Sequence, residues 1–284
     1  MLFRSTDEPT LVRFRDNVAL QRSMGADVRV ISPDDARALV PSLNMDDALA
    51  AVWGPMDGHA SPNDVVQAYA AQARARGVRI VEDSPVTGIV VERGRVAGVV
   101  TPAGAIATRL VVNAAGPWAP LVARMAGLDL PVDPRRRHIF VTDAFDGIRH
   151  PLPLVTDTGS GFYCRSEQGA ILMSPGDIGA TTQYEARVDW SVLELAVEKA
   201  IRRIPALERA QVRHAWAGLR PLTPDGRAIL DWAPGVEGLY LAVGFCGHGF
   251  QHSPGVGETV AELLLDGRSA LDVHDLRLGR FASA

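Results

Sequence analysis

The chain has 284 residues, 47% of them hydrophobic and 22% charged, which is enough to bury the core of one large domain or of two interleaved ones. Its net charge of −4 gives no sign of a nucleic-acid partner, and no apolar run is long enough to span a bilayer. The two cysteines form neither a CxxC motif nor a disulfide framework, and the first residues lack the apolar stretch of a signal peptide. We therefore expect a cytoplasmic protein by default, and we assign no residue to a metal.

The first part of the chain predicts three helices, a short strand and a meander. Residues 8–25 and 32–41 are each predicted to be helical, ending at a glycine and a proline respectively. A third helix is predicted over residues 61–77, because a serine cap, a proline in the first turn and an acidic residue occur in that order. Residues 78–81 are predicted to form a short strand, and residues 86–108 three β-prone runs separated by glycine turns.

Two strand–turn–helix units follow, and both contain turns with few side chains. In the first, an apolar strand at residues 110–112 leads into the turn NAAGPW at residues 113–118 and then a helix. In the second, a buried strand at residues 239–243 leads into the glycine-rich turn 244–249, and a helix is predicted to start at Ser253 and Pro254. Such turns allow the backbone to approach a flat or anionic ligand, although ordinary strand–helix connections also use glycine often.

A different sequence pattern occurs between these two strand–turn–helix units. From residue 131 short strands alternate with glycine and proline turns, as in an antiparallel sheet, and one long helix is predicted over residues 189–204. Strand and loop return at residues 211–232. The two sequence patterns alternate along the chain. This alternation predicts two discontinuous domains, one made of residues 62–130 and 210–284 and the other of residues 1–61 and 131–209.

The sequence lacks the dinucleotide-binding fingerprint GxGxxG that normally follows the first strand of such a domain. The closest candidates are the glycine pairs at residues 159–161, 247–249 and 255–257, and each lacks the third glycine at the required spacing. The first residues of the chain are typical of the middle of a strand.

Three motifs resemble one known family: NAAGPWA at residues 113–119, AGLRPLTPDG at residues 217–226 and GFCGHGF at residues 244–250. They occur in the order and spacing of the FAD-dependent amine and amino-acid oxidoreductases typified by D-amino-acid oxidase, glycine oxidase and sarcosine oxidase. The branch of the sarcosine oxidase beta subunit is the most similar, and the resemblance runs through essentially the whole chain. It implies an α/β (α+β) fold in which a Rossmann-like FAD-binding domain, incomplete without its N-terminal βαβ unit, interleaves with an antiparallel-sheet substrate domain.

The resemblance also implies which residues contact FAD. The 86–87 pair would lie by the adenine, the 114–116 turn by the pyrophosphate and the 244–251 turn by the isoalloxazine. The assigned residues are Val86, Thr87, Ala114, Ala115, Gly116, Gly244, Gly247, His248, Gly249, Phe250 and Gln251. Gly218 and Pro62 stand where some family members carry a flavin-linking cysteine or histidine, so we expect non-covalent FAD. Gln251 replaces a substrate-binding lysine of some sarcosine oxidases.

The implied activity is oxidation of the C–N bond of a small amino acid or N-methyl amino acid, such as sarcosine, glycine or proline. Arg220 and His248 are the candidate catalytic residues. Arg220 would bind the substrate carboxylate through its planar fork, or alternatively pair with Asp225 or Asp231 in a structural role. His248 suits packing or flavin positioning better than acid–base catalysis. The chain is expected to belong to a heteromeric oxidase or dehydrogenase, or alternatively to be a truncated or accessory subunit that does not bind FAD by itself.

Several other residues have two interpretations at the level of sequence. Tyr163 and Arg165 alternate on a strand and belong either to a substrate pocket or to the sheet core. Residues 135–137 form a basic run that favours a solvated face or protection of an edge strand. Cys246 is predicted to be a small buried filler, and Lys199 to be exposed on an amphipathic helix. His59 is predicted to be a surface histidine.

Overall fold

The computed structural model of the chain describes residues 1–178 and 184–282. It confirms the predicted mixed α/β fold, with one eight-stranded sheet and two three-stranded sheets among the described residues. The chain divides into two compact units. Unit 1 contains Met1–His59, Arg136–Ala180 and Glu185–Gly218, and unit 2 consists mainly of Ala60–Arg135 and Leu219–Ala284. The assignment of one domain to FAD and the other to substrate stays a prediction.

The elements are named in chain order. The strands are β1 (Leu2–Ser5), β2 (Arg29–Ile31), β3 (Ala50–Trp53), β4 (Gly88–Glu92), β5 (Arg95–Thr101), β6 (Gly104–Ala107), β7 (Val111–Asn113), β8 (Asp133–Thr142), β9 (Val155–Asp157), β10 (Tyr163–Glu167), β11 (Ala170–Ser174), β12 (Val212–Leu222), β13 (Ile229–Trp232) and β14 (Leu239–Val243). The α-helices are α1 (Glu8–Ser23), α2 (Pro33–Leu39), α3 (Pro62–Ala75), α4 (Ala119–Arg124), α5 (Leu193–Arg203) and α6 (Gly249–Asp266). Short 3₁₀ turns span Gly116–Trp118, Trp190–Val192, Pro205–Arg209, His274–Leu276 and Leu278–Phe281.

The eight-stranded sheet has the order β12-β8-β11-β10-β9-β1-β3-β2. Strands β1 and β9 run parallel, whereas β10 pairs antiparallel with both β9 and β11. Side chains at paired positions of neighbouring strands point to the same face of a sheet and form a row. One such row in this sheet contains five apolar residues that are all buried. This row consists of Leu2, Val155, Cys164, Met173 and Phe140. It packs with Ala196 and Ala200 of α5 in the core of unit 1.

Unit 2 contains the sheet β13-β14-β7 and the predicted meander β4-β5-β6. All five residues of β14 are buried, as its continuous apolar run predicts for a central strand. Strand β14 is antiparallel to β13 and parallel to β7. The strand side chains pack against α4, so the hydrophobic core of unit 2 lies between this small sheet and α4.

Three sequence-based predictions of secondary structure need correction. Residues 78–81 form no strand, and Val78 and Val81 are largely exposed, because in the described chain no neighbouring strand pairs with them. The helix predicted over residues 189–204 begins as a 3₁₀ turn at Trp190 and becomes α-helical only at Leu193.

The third correction concerns α6, which begins at Gly249 instead of Ser253–Pro254. Pro254 therefore lies inside the helix, where its missing N–H leaves the carbonyl of Phe250 without its usual helical donor. The Ser253 hydroxyl donates to that carbonyl at 2.8 Å. The Ser253 side chain thus replaces the lost backbone hydrogen bond. The sequence rule that places Ser-Pro at the start of a helix does not include this possibility.

Helices α3 and α6 are amphipathic but bury little. The fully described helix α3 has no buried residue, and Thr259 is the buried residue of α6. Val66 and Tyr69 of α3 and Leu265 of α6 are exposed apolar side chains. Within the described chain, none of the helices combines the length and the apolar character that a bilayer crossing needs.

Candidate functional site

Two turns that the sequence singled out lie at one edge of the β13-β14-β7 sheet in unit 2. Strands β7 and β14 are parallel, and Asn113 pairs with Leu241. Their carboxyl ends therefore open at the same edge, where ligands bind in open α/β sheets. This topology brings the turn 114–116 beside the turn 244–248. Strand β13 starts at this edge, since Ile229 pairs with Val243, so the segment before β13 lies there as well.

The turn after β7 is held by Asn113 and leaves its backbone accessible. The Asn113 amide donates to the carbonyl of Ala119 at 2.9 Å and accepts from the N–H of Ala115 at 3.2 Å. Gly116 has a φ of +52°, and a Cβ built on it meets no atom within 4 Å. Ala114 is exposed. This turn therefore offers open space beside its backbone, into which an anionic group fits without steric conflict.

The turn after β14 is tightly constrained. Gly244, Cys246 and Gly247 all have positive φ, at +72°, +53° and +88°. A Cβ on Gly244 would stand 2.5 Å from Cγ2 of Thr223, and one on Gly247 would stand 2.5 Å from Nε of Arg220. Both glycines thus allow the close approach of Arg220 at the end of β12 and of Thr223 directly after it.

Cys246 joins this turn to the end of β12. Its N–H donates to the carbonyl of Pro221 at 3.1 Å, and its thiol donates to the carbonyl of Gly244 at 3.1 Å. The N–H of Thr223 donates to Sγ of Cys246 at 3.3 Å. The predicted burial of Cys246 is confirmed, at 3% exposure, but the residue is a hydrogen-bonded link rather than a simple filler.

Arg220 lies at the end of β12, half-buried against the glycine turn. Its guanidinium donates to the carbonyl of Cys246. The two acids considered as structural partners have other contacts: Asp225 pairs with Arg280 at 2.8 Å, and Asp231 accepts from the N–H of Leu278 at 2.9 Å. The contact described here therefore fixes Arg220 to the backbone of the turn.

The remaining residues of the GFCGHGF motif begin α6. His248 is the N-cap; its N–H donates to the carbonyl of Phe245 at 2.8 Å, and its ring stacks on that of His252 with centroids 5.9 Å apart. Gly249 starts the helix, and Phe250 and Gln251 are exposed in its first turn. The free N–H groups of a helix start therefore lie at the same edge as the two turns.

Val86 and Thr87 lie elsewhere in the unit. The N–H of Thr87 donates to the carbonyl of Val100 at 2.8 Å, so both residues are at the open end of the β4–β5 hairpin. A contact between this meander and the rest of the unit occurs at the opposite end, where Arg95 pairs with Glu237. The contact of Val86 and Thr87 with adenine stays a prediction.

The sequence analysis missed the side chains that support the turns. Thr223 and Asp225 belong to the TPDG motif, and turn chemistry gives the signal, because such residues commonly hydrogen-bond nearby backbone. The Asp225 carboxylate accepts from the N–H of Arg227 at 3.1 Å. Its ion-pair partner Arg280 lies 55 residues further along the chain. No local pattern signals a partner at that distance.

In unit 1, Tyr163 and Arg165 line a pocket of about 730 Å³, together with His59 and Trp53. The guanidinium of Arg137 lies 5.5 Å from the centre of the Tyr163 ring. Arg165 pairs with Glu167 at 2.5 Å. His59 is exposed, as the sequence predicted. Both interpretations of Tyr163 and Arg165 hold in part, since these side chains are half-buried on the sheet and border a cavity.

One prediction about basic residues stays a prediction, and another is wrong. Residues 135–137 lie on β8, whose described pairs with β11 involve Phe140 and Val141, so the solvated-face and edge-protection interpretations both stay predictions. Arg137 forms an ion pair with Asp177 at 2.8 Å. Lys199 is not a solvated surface residue: it is half-buried, and its Nζ donates to the carbonyls of Ser160 and Pro175 at 2.7 Å each. Helical periodicity alone could not show that two loops of the fold approach this ammonium group.

Parallel strands whose carboxyl ends lie at one edge, with a helix start beside them, are typical of the α/β proteins that bind their ligands at that edge. Comparison with known proteins identifies the particular family. The family model described as DAO, FAD dependent oxidoreductase, matches residues 1–263. The chain therefore belongs to this family, as its motifs predicted.

Individual relatives agree with this assignment. The chain is 32% identical over 296 residues to mitochondrial sarcosine dehydrogenase from Homo sapiens, covering 99% of this chain but 32% of that protein. It is 32% identical to sarcosine oxidase subunit beta from Rhizobium meliloti (strain 1021), covering 99% of this chain and 67% of that protein. Among solved structures, L-proline dehydrogenase from P. horikoshii superposes with a TM-score of 0.90 at 31% identity, covering 99% of this chain and 76% of that one. The chain thus spans about a third of the length of the sarcosine dehydrogenase that it matches.

Proposed function

We propose that this chain takes part in the FAD-dependent oxidation of the C–N bond of a small amino acid or N-methyl amino acid, such as sarcosine, glycine or proline. The observation that carries the proposal is the fixed position of Arg220 against the glycine turn, at the sheet edge where the turns after β7 and β14 both lie. Bound FAD would supply the acceptor for a hydride equivalent from the carbon next to the substrate nitrogen.

Several residues at this edge have the chemistry that parts of FAD need. The open space at Gly116 and the exposed Ala114 suit a pyrophosphate that must approach backbone closely. The turn from Gly244 to Gln251 presents backbone N–H groups and the start of α6, which suit the polar edge of an isoalloxazine. Gly218 and Pro62 carry no nucleophile, and this supports non-covalent binding.

Arg220 has the chemistry of a carboxylate anchor. A guanidinium offers donors in a planar fork, and the donor that binds the Cys246 carbonyl fixes the direction of that fork. A substrate held in this way would present its C–H in one orientation, so most of the rate gain would come from positioning. His248, at the start of α6, suits a role in orienting the ligand.

The proposed partners are a small amino-acid substrate and further subunits of a heteromeric oxidase or dehydrogenase. The similarity to a protein named as the beta subunit of sarcosine oxidase supports the second part. Neither a nucleic acid nor a membrane is proposed as a partner. A cytoplasmic location stays a prediction from composition.

The test compares the chain alone with the chain preceded by a strand–helix–strand segment that carries GxGxxG. Without this fingerprint we expect weak FAD binding, because the turn 114–116 would then contact the pyrophosphate without the GxGxxG turn and its helix start, which normally make the main contacts. With it we expect stoichiometric flavin that sarcosine, glycine or proline reduces under anaerobic conditions. A flavin that no carboxylate-bearing amine reduces would contradict the proposed oxidation. If neither sample binds FAD, the non-catalytic accessory role is favoured instead.

A further inference from the structure

The C-terminal segment of unit 2 contacts the loop that follows β12. Arg280 donates from Nε to one oxygen of Asp225 at 2.8 Å and from a terminal nitrogen to the other at 3.1 Å. The same terminal nitrogen donates to the carbonyl of Arg227 at 2.8 Å. Arg280 is 16% exposed and lies beyond residue 263, where the match to the family model ends. A forked, charge-assisted contact of this kind restricts the geometry of both partners.

Asp225 transmits this contact to Thr223. The Thr223 hydroxyl lies 3.2 Å from Oδ1 of Asp225 and 2.8 Å from the carbonyl of Arg227. The hydrogen bond from Arg280 is the main reason why the pKa of Asp225 lies at about 2, so the carboxylate is charged at neutral pH. The loop 223–227 is therefore held from one side by Arg280 and braced internally by its own threonine.

Thr223 in turn contacts the residue that holds Arg220. Both its N–H and its hydroxyl lie 3.3 Å from Sγ of Cys246. The carbonyl of Cys246 accepts from the guanidinium of Arg220. Cys246 has a φ of +53°, a conformation that a residue with a side chain keeps only when its surroundings fix it. Its contacts with Thr223, Pro221 and Gly244 supply that constraint.

We propose that Arg280 is a positioning residue for Arg220: its ion pair with Asp225 holds Thr223 against Cys246, and Cys246 fixes the guanidinium that receives the substrate carboxylate. The role in substrate binding depends on the function proposed above, whereas the physical coupling from Arg280 to Arg220 does not. The experiments below separate the two.

The first experiment measures the coupling in the full chain without flavin or substrate. In Arg280→Met we expect Cys246 to react with iodoacetamide about tenfold faster, because the loop that covers its thiol opens more often. Cys164 is the internal control: it is buried in unit 1, where burial raises the pKa of its thiol to about 12, and its labelling should not change. Peptide mass spectrometry reads both cysteines in one sample.

The second readout follows Arg220 itself. Its Nε–H signal in ¹⁵N-labelled protein, assigned by its loss in Arg220→Lys, should exchange with solvent several-fold faster in Arg280→Met. Arg280→Lys, which keeps the charge but not the fork, should recover part of the wild-type behaviour. Arg95→Met is the matched control, since Arg95 forms an exposed ion pair with Glu237 in the same unit and does not contact the loop 223–227. Unchanged Cys246 labelling or unchanged Arg220 exchange in a folded Arg280→Met protein would overturn the coupling.

The kinetic readout uses the flavin-loaded protein, which is the chain preceded by the segment that carries GxGxxG. Arg280→Met should raise KM for a carboxylate-bearing amine about tenfold while the reaction of an amine without a carboxylate changes little, which a general loss of stability would not produce. Equal losses for both amines would overturn the positioning role even if the coupling is present. If the wild-type protein oxidises neither amine, the proposed function fails, and the cysteine and arginine readouts still decide whether Arg280 orders Arg220.

Discussion

Arg203 in unit 1 and Arg220 in unit 2 show two different uses of a buried or half-buried arginine. Arg203 is 1% exposed and contacts two carboxylates, those of Asp47 and Asp157, at 3.2 Å each. Arg220 is held by a backbone carbonyl at the end of a glycine turn. The two carboxylates fix Arg203 within the core of unit 1. The carbonyl of Cys246 fixes the direction of the Arg220 guanidinium, and we propose that this guanidinium binds an anionic substrate group.

The cluster around Arg203 connects distant parts of unit 1. Arg4 on β1 also pairs with Asp157, at 2.7 Å, and with Asp47, at 2.5 Å. The cluster therefore links β1 and β9 with α5 and the loop before β3. The two buried arginines and the two aspartates balance in charge, and pairing of this kind is the condition under which buried ions are tolerated; the exposed Arg202 also contacts Asp47.

The largest expected effect comes from removing the anion-binding arginine. Arg220→Met should lower the turnover of carboxylate-bearing amines by roughly 30-fold to several thousandfold, because loss of a desolvated charge pair costs ~2–5 kcal/mol. Flavin content should stay the same. Steady-state and anaerobic flavin-reduction kinetics on sarcosine, glycine, proline and an amine without a carboxylate would measure this. Equal losses for both kinds of amine would assign Arg220 to structure, as for Arg203.

Removing the structural arginine should affect stability instead. Arg203→Met leaves Asp157 and Asp47 with one fewer cation and should destabilise the fold by about 3 kcal/mol. The neighbouring Arg202 is the matched control: it pairs with Asp47 at 3.3 Å but is 70% exposed, so Arg202→Met should cost less than about 1 kcal/mol. Urea unfolding followed by circular dichroism would compare them. Equal destabilisation by both substitutions would contradict the distinction between buried and exposed pairs.

A substitution in the glycine turn should have a smaller effect, and it tests whether the flavin lies against this turn. Gly247→Ala should weaken FAD binding roughly tenfold, because φ is +88° and the added Cβ would stand 2.5 Å from Nε of Arg220. Gly257→Ala in α6 is the control, since no atom lies within 4 Å of a Cβ there. Flavin fluorescence during titration would report both affinities. Unchanged binding in Gly247→Ala would move the flavin away from this turn.

The smallest expected effect is a pH dependence of stability that arises in the Arg203 cluster. Burial raises the pKa of Asp47, but the hydrogen bonds and charges of Arg203 and Arg4 outweigh burial and lower it to about 2. The pKa of Asp157 is lowered as well, against its burial, chiefly by Arg4. Because both pKa values are lowered in the folded protein, both carboxylates contribute fully above about pH 4 and lose their contribution at lower pH; for Asp47 the loss extends to about pH 2.

Urea midpoints measured between pH 6 and pH 3 would check this dependence. Asp47→Asn should flatten the profile in the acid range, because the substituted amide does not titrate there. An Asp47→Asn protein with the full wild-type slope would show that other carboxylates cause the acid sensitivity.

Local patterns predicted the helices and strands well where a residue's conformation depends on its neighbours in sequence. The Ser61 cap of α3 forms as predicted, and the helix predicted from residue 32 occurs as α2, with Ser32 as its N-cap. The buried run of β14 also occurs as predicted. Patterns did not predict outcomes that depend on distant partners. Residues 78–81 have strand-like composition but no strand beside them in the described chain, and Pro254 is accepted in a helix because Ser253 supplies a donor.

For the site, motifs predicted which residues meet but not how they are held. The turns at 114–116 and 244–248 lie at one edge because β7 and β14 are parallel, which the sequence indicates only through their shared strand–turn–helix form. The pairing of Arg280 with Asp225 and of Arg203 with Asp157 depends on chain segments that are far apart. Composition and spacing carry no information about such contacts.

We propose that Arg220 at the glycine turn binds a carboxylate beside FAD. Acetate titrated into the flavin-loaded chain that carries the added GxGxxG segment would test this binding, because no turnover is needed and flavin absorbance reports binding close to the ring. We expect a saturable spectral change in the wild-type protein, a weaker response in Arg220→Lys and none in Arg220→Met. The same acetate response in all three proteins would show that Arg220 does not bind the carboxylate.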